Sequence, residues 1–211
     1  EESFDAVGKN KGWHVKIKNP ECSTFDIYQN KKLRGSINWN LIGEHNKKNA
    51  LATFVMAISL GLKGQQISKS LSAFKGTARR MEMIGEKNSI SVYDDFAHHP
   101  TAIKYTLDGL RKKVGSQKII CLLEMRSNTM SSGYHDKAIP KSLEDADRVF
   151  LFSKNQDQIE KIAKRSKKFS TCSGTREFLD LLPELNESNT HIICLSNGSF
   201  DQIHHAILER L

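Results

Sequence analysis

The sequence predicts an α/β protein: a mainly parallel sheet over residues 79–211, preceded by a short antiparallel β-meander and two helices. Three observations carry this. Apolar runs such as KIICLLE, RVFLF and HIICL alternate with amphipathic stretches, the pattern of strands buried on both faces by crossover helices. Residues 13–42 instead alternate with period two, as half-buried strands do. Between these regions, GEHNKKNALATFVMAISLGLKG carries apolar residues at helical spacing.

Taken in order, WHVKI puts Trp13, Val15 and Ile17 on one face, TFDIY adds Phe25 and Ile27, and LRGSINWNLI continues through Leu33 and Ile37. Asn19-Pro20 and Asn30-Lys31 supply the turns. The first helix shows Leu51, Phe54 or Val55, Ile58 and Leu62, ended by Gly61 and Gly64. A shorter one runs through Ile67, Leu71 and Phe74 to Gly76, and a domain boundary is expected near residue 78. RRMEMI and SISVY then form a strand pair. Pro100 opens a helix over 100–114 with Ile103, Leu107, Leu110 and Val114 on one face. After KIICLLE come a polar loop, a helix near 140–146, strand RVFLF, a helix over 156–166, strand FSTCS and a helix over 174–182. Strand HIICLS leads to a final helix over 200–211, whose SFDQ start has capping-box form from Ser199 to Gln202.

The charge of +8, from 32 basic and 24 acidic residues, favours anionic partners. The basic clusters at Arg111–Lys113 and Lys161–Lys168 fall on helices and read as solvated faces. No aromatic residues interleave with them, which argues against nucleic acid. No apolar run is long enough to cross a bilayer, so no membrane insertion is expected. The opening EESFDAVGKN has no signal-peptide core and no methionine, so a piece of a longer protein is expected. Cys22, Cys121, Cys172 and Cys194 show no C-x-x-C spacing, which favours a reduced, cytoplasmic protein without disulfides or structural zinc.

Ligands of open parallel sheets bind where strands lead into helix N-termini. Three polar loops have that address. DDFAHHP presents Asp95 and His98 just before the Pro100 helix, with His99 pushed to an extended backbone; the plain alternative is local turn chemistry with exposed histidines. A metal site there is weakly supported, since adjacent histidines point apart on extended chain. EMRSNTM groups Arg126, Ser127, Asn128 and Thr129, donors suited to a carboxylate, or else a solvated loop. SNGSF places Asn197, Gly198 and Ser199 before the last helix, where a simple N-cap accounts for Ser199. His204 and His205, inside that helix, read as exposed and without function. Earlier, GEHNKKNALA sets His45, Asn46 and Asn49 at a helix start; Asn pairs can read a purine edge, or these residues cap the helix. Arg79-Arg80 could bridge a phosphate or form a surface pair.

GEHNKKNALA, FKGTARRME and VYDDFAHHPTAI, in this order and spacing, resemble the muramyl ligase family of ATP-dependent amide-forming enzymes of bacterial peptidoglycan synthesis. DDFAHHPTAI, RSNTM and SNGSF resemble the branch that recycles a murein tripeptide rather than the branch that adds L-alanine. The resemblance implies a Rossmann-like C-terminal domain over 79–211, preceded by the end of the central ATP-binding domain over 1–78. It implies ATP and Mg²⁺ as cofactors, with the principal Mg²⁺ ligands upstream of this chain and no metal ligand within it. UDP-N-acetylmuramic acid and the tripeptide L-Ala-γ-D-Glu-meso-diaminopimelate are the implied substrates, joined through an acyl phosphate.

By the same resemblance His45, Asn46 and Asn49 contact adenine, and Arg80 reaches the ATP phosphates. Asp95 and His98 close over the nucleotide and reaction centre, His98 being the candidate to deprotonate the attacking amine. Ser127, Asn128, Thr129, Asn197 and Ser199 receive the incoming peptide, and Arg126 holds one of its carboxylates. Two departures stand out: no G-x-x-x-x-G-K-[ST] loop occurs, and Met125 stands where the family pattern leads one to expect proline. The chain by itself is therefore expected to be inactive. Alternatives are the L-alanine ligase, a non-catalytic nucleotide- or peptide-binding module, and a metal-dependent hydrolase built on DDFAHH.

Overall fold

The computed structural model describes residues 12–185 and 187–211, so the opening EESFDAVGKN lies outside them. The chain divides into two compact units, Glu1–Gly76 and Thr77–Leu211.

In the first unit β1 (Trp13–Ile17), β2 (Thr24–Gln29) and β3 (Lys32–Asn38) form an antiparallel meander. Asn30 and Lys31 both take positive φ, 46° and 68°, the twist that suits a two-residue hairpin. The inner face of Trp13, Val15, Phe25, Ile27 and Ile37 packs on Ala50, Leu51 and Phe54 of α1 (Glu44–Ser59) and Ile67 of α2 (Gly64–Ala73). The period-two reading fails at Leu33, which is 51% exposed. A bulge is the cause: Ile27 faces Gly35 while Tyr28 already faces Leu33, and the extra residue Arg34 reverses the alternation. Leu62 and Phe74, counted as the ends of apolar stripes, lie beyond their helices and are 52% and 47% exposed.

Gly35 permits the close approach of β3 to the helices, since a Cβ there would sit 2.4 Å from Ser68 Oγ and 2.6 Å from the Phe54 ring.

The second unit holds a six-stranded sheet in the order β4-β5-β9-β6-β7-β8. β4 (Glu82–Lys87) runs antiparallel to β5 (Ile90–Asp95). The rest pair in parallel: β6 (Lys118–Glu124), β7 (Arg148–Phe152), β8 (Phe169–Cys172) and β9 (Thr190–Leu195). α3 (Pro100–Val114) follows β5 and buries Ile103, Leu107 and Leu110. A single turn, α4 (Asn128–Ser131), forms in the polar loop after β6, and the helix expected near 140–146 is the single turn α5 (Ile139–Ser142). α6 (Gln156–Ala163) stops short of 166, and α7 (Thr175–Leu185) carries Pro183 in its last turn. One core cluster joins Ile120, Leu122, Phe150, Ile192 and Cys194 of the sheet to Phe178 and Leu182 of α7 and to Ile203 and Ile207. All four cysteines are buried free thiols.

The last helix departs most from expectation. α8 (Ile203–Arg210) begins late, because Phe200, Asp201 and Gln202 form a left-handed turn with φ of 47°, 49° and 55°. Ser199 makes no side-chain cap, so the capping box does not form. Such backbone costs on the order of 1–3 kcal/mol per residue. Burial of the Phe200 ring, edge-on to Phe152 with centroids 5.0 Å apart, offsets it.

Both tryptophans, Trp13 and Trp39, belong to the first unit's core, so their fluorescence reports that unit. Gly35→Ala is expected to destabilise it by about 1–3 kcal/mol through overpacking, read as a lower urea midpoint of tryptophan emission.

Candidate functional site

β9 lies between β5 and β6, and all three run parallel, so the loops DDFAHHP, EMRSNTM and SNGSF leave from adjacent strands at one sheet edge. The organising group is Asp95, 3% exposed at the end of β5. Its Oδ2 accepts from Met81 N at 2.7 Å, and its Oδ1 from Ala97 N at 2.7 Å and Thr106 Oγ1 at 3.4 Å. Burial raises its pKa above the usual carboxylate value, although these donors and Arg80 oppose the shift. Asp95 is thus committed to interior donors and holds the loop in place.

Arg79 is pinned inward: Nε donates to Asp94 Oδ2 at 2.9 Å, Nη2 to Ser196 O at 2.7 Å, and its carbonyl accepts from Phe96 N at 2.9 Å. Arg80 is exposed, with its guanidinium 5.6 Å from the centre of the Phe96 ring. The doublet therefore divides into a structural and an outward arginine, a division that two adjacent identical residues do not reveal in sequence.

His98 is half-buried, its Nδ1 2.8 Å from Phe96 O. A carbonyl only accepts, so Nδ1 is the donor there, and in the neutral ring the lone pair falls on Nε2. His99 is extended at φ −130°, ψ 141°, caps α3 by accepting from Thr101 N, and meets His135 edge-on at 4.5 Å.

The other two loops interlock. Arg126 lies against Gly198 so closely that a Cβ there would be 1.5 Å from Arg126 Nη1. Ser196 Oγ donates to Glu124 and accepts from Gly198 N, tying the end of β9 to the end of β6. Met125 is buried and its N–H donates to Phe152 O at 2.7 Å, a bond proline could not make. Ser127 caps α4 through Met130 N, while Asn128, Thr129 and Ser199 are exposed. Asn197 Oδ1 is buried without a partner.

In the first unit, α1 starts from Gly43 with no side-chain cap, which removes the capping role for His45, Asn46 or Asn49. Asn46 donates to Ile42 O at 2.8 Å, and Asn49 is exposed. Lys47, unremarked in sequence, is 1% exposed and pairs with Glu44 Oε2 at 2.6 Å. Its phase with Ala50, Leu51 and Phe54 was the available signal. Among the described residues no three His, Cys, Asp or Glu groups are placed to share a metal ion, which leaves the hydrolase reading without a ligand set there.

A family profile described as Mur ligase, glutamate ligase domain, matches residues 79–198. The chain belongs to the Mur ligase family. It is 37% identical over 209 residues to the UDP-N-acetylmuramate–L-alanyl-γ-D-glutamyl-meso-2,6-diaminoheptandioate ligase of Haemophilus influenzae, covering 97% of this chain and 46% of that protein. The UDP-N-acetylmuramate–L-alanine ligase of Clostridium acetobutylicum is 44% identical over 117 residues, covering 56% of this chain and 25% of the relative. The crystal structure of a murein peptide ligase from Psychrobacter arcticus superposes with a TM-score of 0.66 at 31% identity, over 94% of this chain and 44% of that one. This Mur ligase chain spans about half the length of the curated relatives it matches.

One histidine of the Mur ligase domain differs from the sequence reading. His204 is buried, 7% exposed, because the left-handed turn sets α8 in a phase that puts it on the Ile203–Ile207 stripe. Desolvation lowers its pKa from 6.5, with His205 and Arg79 adding to the shift and Asp94 and Glu82 opposing it.

Asp95→Ala, which leaves Met81 N and Ala97 N unpaired, is expected to destabilise the second unit by about 2–4 kcal/mol, measured by circular dichroism during urea unfolding. His204, with a folded pKa below its unfolded value, contributes stability that is full above pH 6.5 and is lost as pH falls through the folded value. His204→Asn should remove that part of the acid dependence, seen by comparing unfolding midpoints from pH 7 downward.

Proposed function

We propose that this chain is the C-terminal part of a cytoplasmic, ATP-dependent ligase that joins L-Ala-γ-D-Glu-meso-diaminopimelate to UDP-N-acetylmuramic acid in peptidoglycan recycling. The observation that carries it is the 37% identity to the Haemophilus influenzae ligase over 97% of the chain; the L-alanine ligases match over 56% to 68% of it. Residues 1–78 are read as the end of the central ATP-binding domain and 79–211 as the C-terminal α/β domain. Among the described residues no helix is long and apolar enough to cross a membrane.

When bound, ATP would supply the γ-phosphoryl group that turns the lactyl carboxylate into an acyl phosphate, with ADP released; attack by the peptide amine would then form the amide and expel inorganic phosphate. Exposed Asn49, with His45 and Asn46 beside it on the first turn of α1, suits adenine recognition by paired donors and acceptors. Arg80 has the exposure and permanent charge to meet phosphate oxygens. His98 offers Nε2 to take the amine's proton, while Asp95 holds the His98 loop and does not itself reach outward. Arg126, held over Gly198, is the carboxylate clamp, with Ser127, Asn128, Thr129, Asn197 and Ser199 around the same loops.

The purified chain is expected to have no ligase activity, and ATP-dependent joining of tripeptide to UDP-N-acetylmuramate by it alone overturns this reading. In the complete ligase, Arg126→Ala should raise the KM for tripeptide about tenfold or more with the KM for ATP unchanged. Gly198→Ala, whose new methyl displaces only the Arg126 side chain, should do the same without lowering Tm. An unchanged tripeptide KM removes Arg126 from the site. Turnover with L-alanine in place of the tripeptide points to the other acceptor class.

A further inference from the structure

Beside the interlocked loops, within the second unit, lies a cavity of about 400 Å³. Arg79, Glu82, Asp94, Gln202, His204 and His205 line it, and Met83 with Ile84 supply an apolar wall. Its size falls within the roughly 300–1,000 Å³ of small-ligand pockets. No role given above uses it, although Ser199, next to the Arg126–Gly198 contact, is on its rim.

The lining carries both signs of charge with capacity left over. Arg79 spends Nε and Nη2 on Asp94 and Ser196, which leaves Nη1. Asp94 bonds Arg79 through Oδ2 and Glu82 bonds Arg79 N through Oε2, which leaves one carboxylate oxygen on each. His204, only 7% exposed, has an Nδ1 that no protein group satisfies. Buried polar groups are seldom left unpaired, so this Nδ1 adds an unmet polar atom to the wall behind the cavity. The two acids favour an ammonium; Arg79 and the Gln202 amide favour a carboxylate. A single carbon bearing both groups satisfies the two sides together.

We propose that this cavity takes the aminocarboxylate at the far end of the peptide acceptor, its ammonium toward Glu82 and Asp94 and its carboxylate toward Arg79, Gln202 and the His205 imidazole. The proposal rests on the acceptor reading given above. A diaminoheptanedioate linked through one amine keeps an amine and a carboxylate together at its other end. The one-residue step from Gly198 to Ser199 connects the Arg126 clamp with the cavity rim, so one peptide can occupy both.

Calorimetric titration of the purified 211-residue chain tests this with two peptides. One is L-Ala-γ-D-Glu-meso-diaminopimelate; the other ends in L-lysine, which keeps the far amine and lacks the far carboxylate. The lysine peptide should bind about tenfold more weakly. Gln202→Gly, tolerated by the left-handed backbone at φ 55°, and His205→Ala should each shrink that gap, Gln202→Gly to about twofold. Arg126→Ala should weaken both peptides. Equal affinities, or a gap that both cavity variants leave intact, overturn the cavity proposal while the acceptor reading stands. Failure of both peptides to bind overturns the acceptor reading and the cavity proposal together.

Discussion

The second unit's ligand edge depends on one buried carboxylate. Asp95 gathers donors from the segment before β4, from the loop after β5 and from α3, and so ties three parts of the chain to one side chain. A carboxylate accepts several hydrogen bonds with little geometric tension, so a single residue can fix several backbone positions at once. Burial opposes its charge, and the backbone donors offset that cost only while all of them stay in place. The positions of Arg79, Arg80 and His98 follow from this clasp. Arg80 and His98, which carry outward chemistry in the proposed function, are therefore set by a residue that carries none.

Much of the fold was legible because strand and helix periods differ and the core strands are continuously apolar. KIICLLE, RVFLF and HIICL became the buried centre of the sheet, and Pro100 opened α3 as its fixed φ requires. What was not legible arose from events that a period does not encode. A bulged residue, Arg34, reversed the face of Leu33. A buried Phe200 held a left-handed turn where SFDQ looked like a capping box, and the change of phase carried His204 inside.

The loops show the same limit. That DDFAHHP, EMRSNTM and SNGSF would share an edge could be argued from strands and helices, since ligands collect where parallel strands end. Which residue of each loop points outward could not. Asp95 and His98 are equally polar in sequence, yet one is consumed by backbone donors and the other keeps a free imidazole nitrogen. The contact of Arg126 with Gly198 needs two loops more than 70 residues apart in sequence, and no local pattern foretells it. The unusual Met125 proves to be an extra rung between neighbouring strands through its N–H to Phe152 O.

The strand order has a consequence for how the molecule is made. β9 is made after the other five strands of this sheet, yet it fills the slot between β5 and β6. Until Thr190–Leu195 has emerged, the sheet exists at most as a hairpin on one side and a three-stranded piece on the other, each showing an unpaired parallel edge. Synthesis at about 5–20 residues per second leaves those edges open for several seconds after β6 appears. A nascent chain that stops before Thr190 lacks the closing strand and presents two sticky edges where the finished domain has a core.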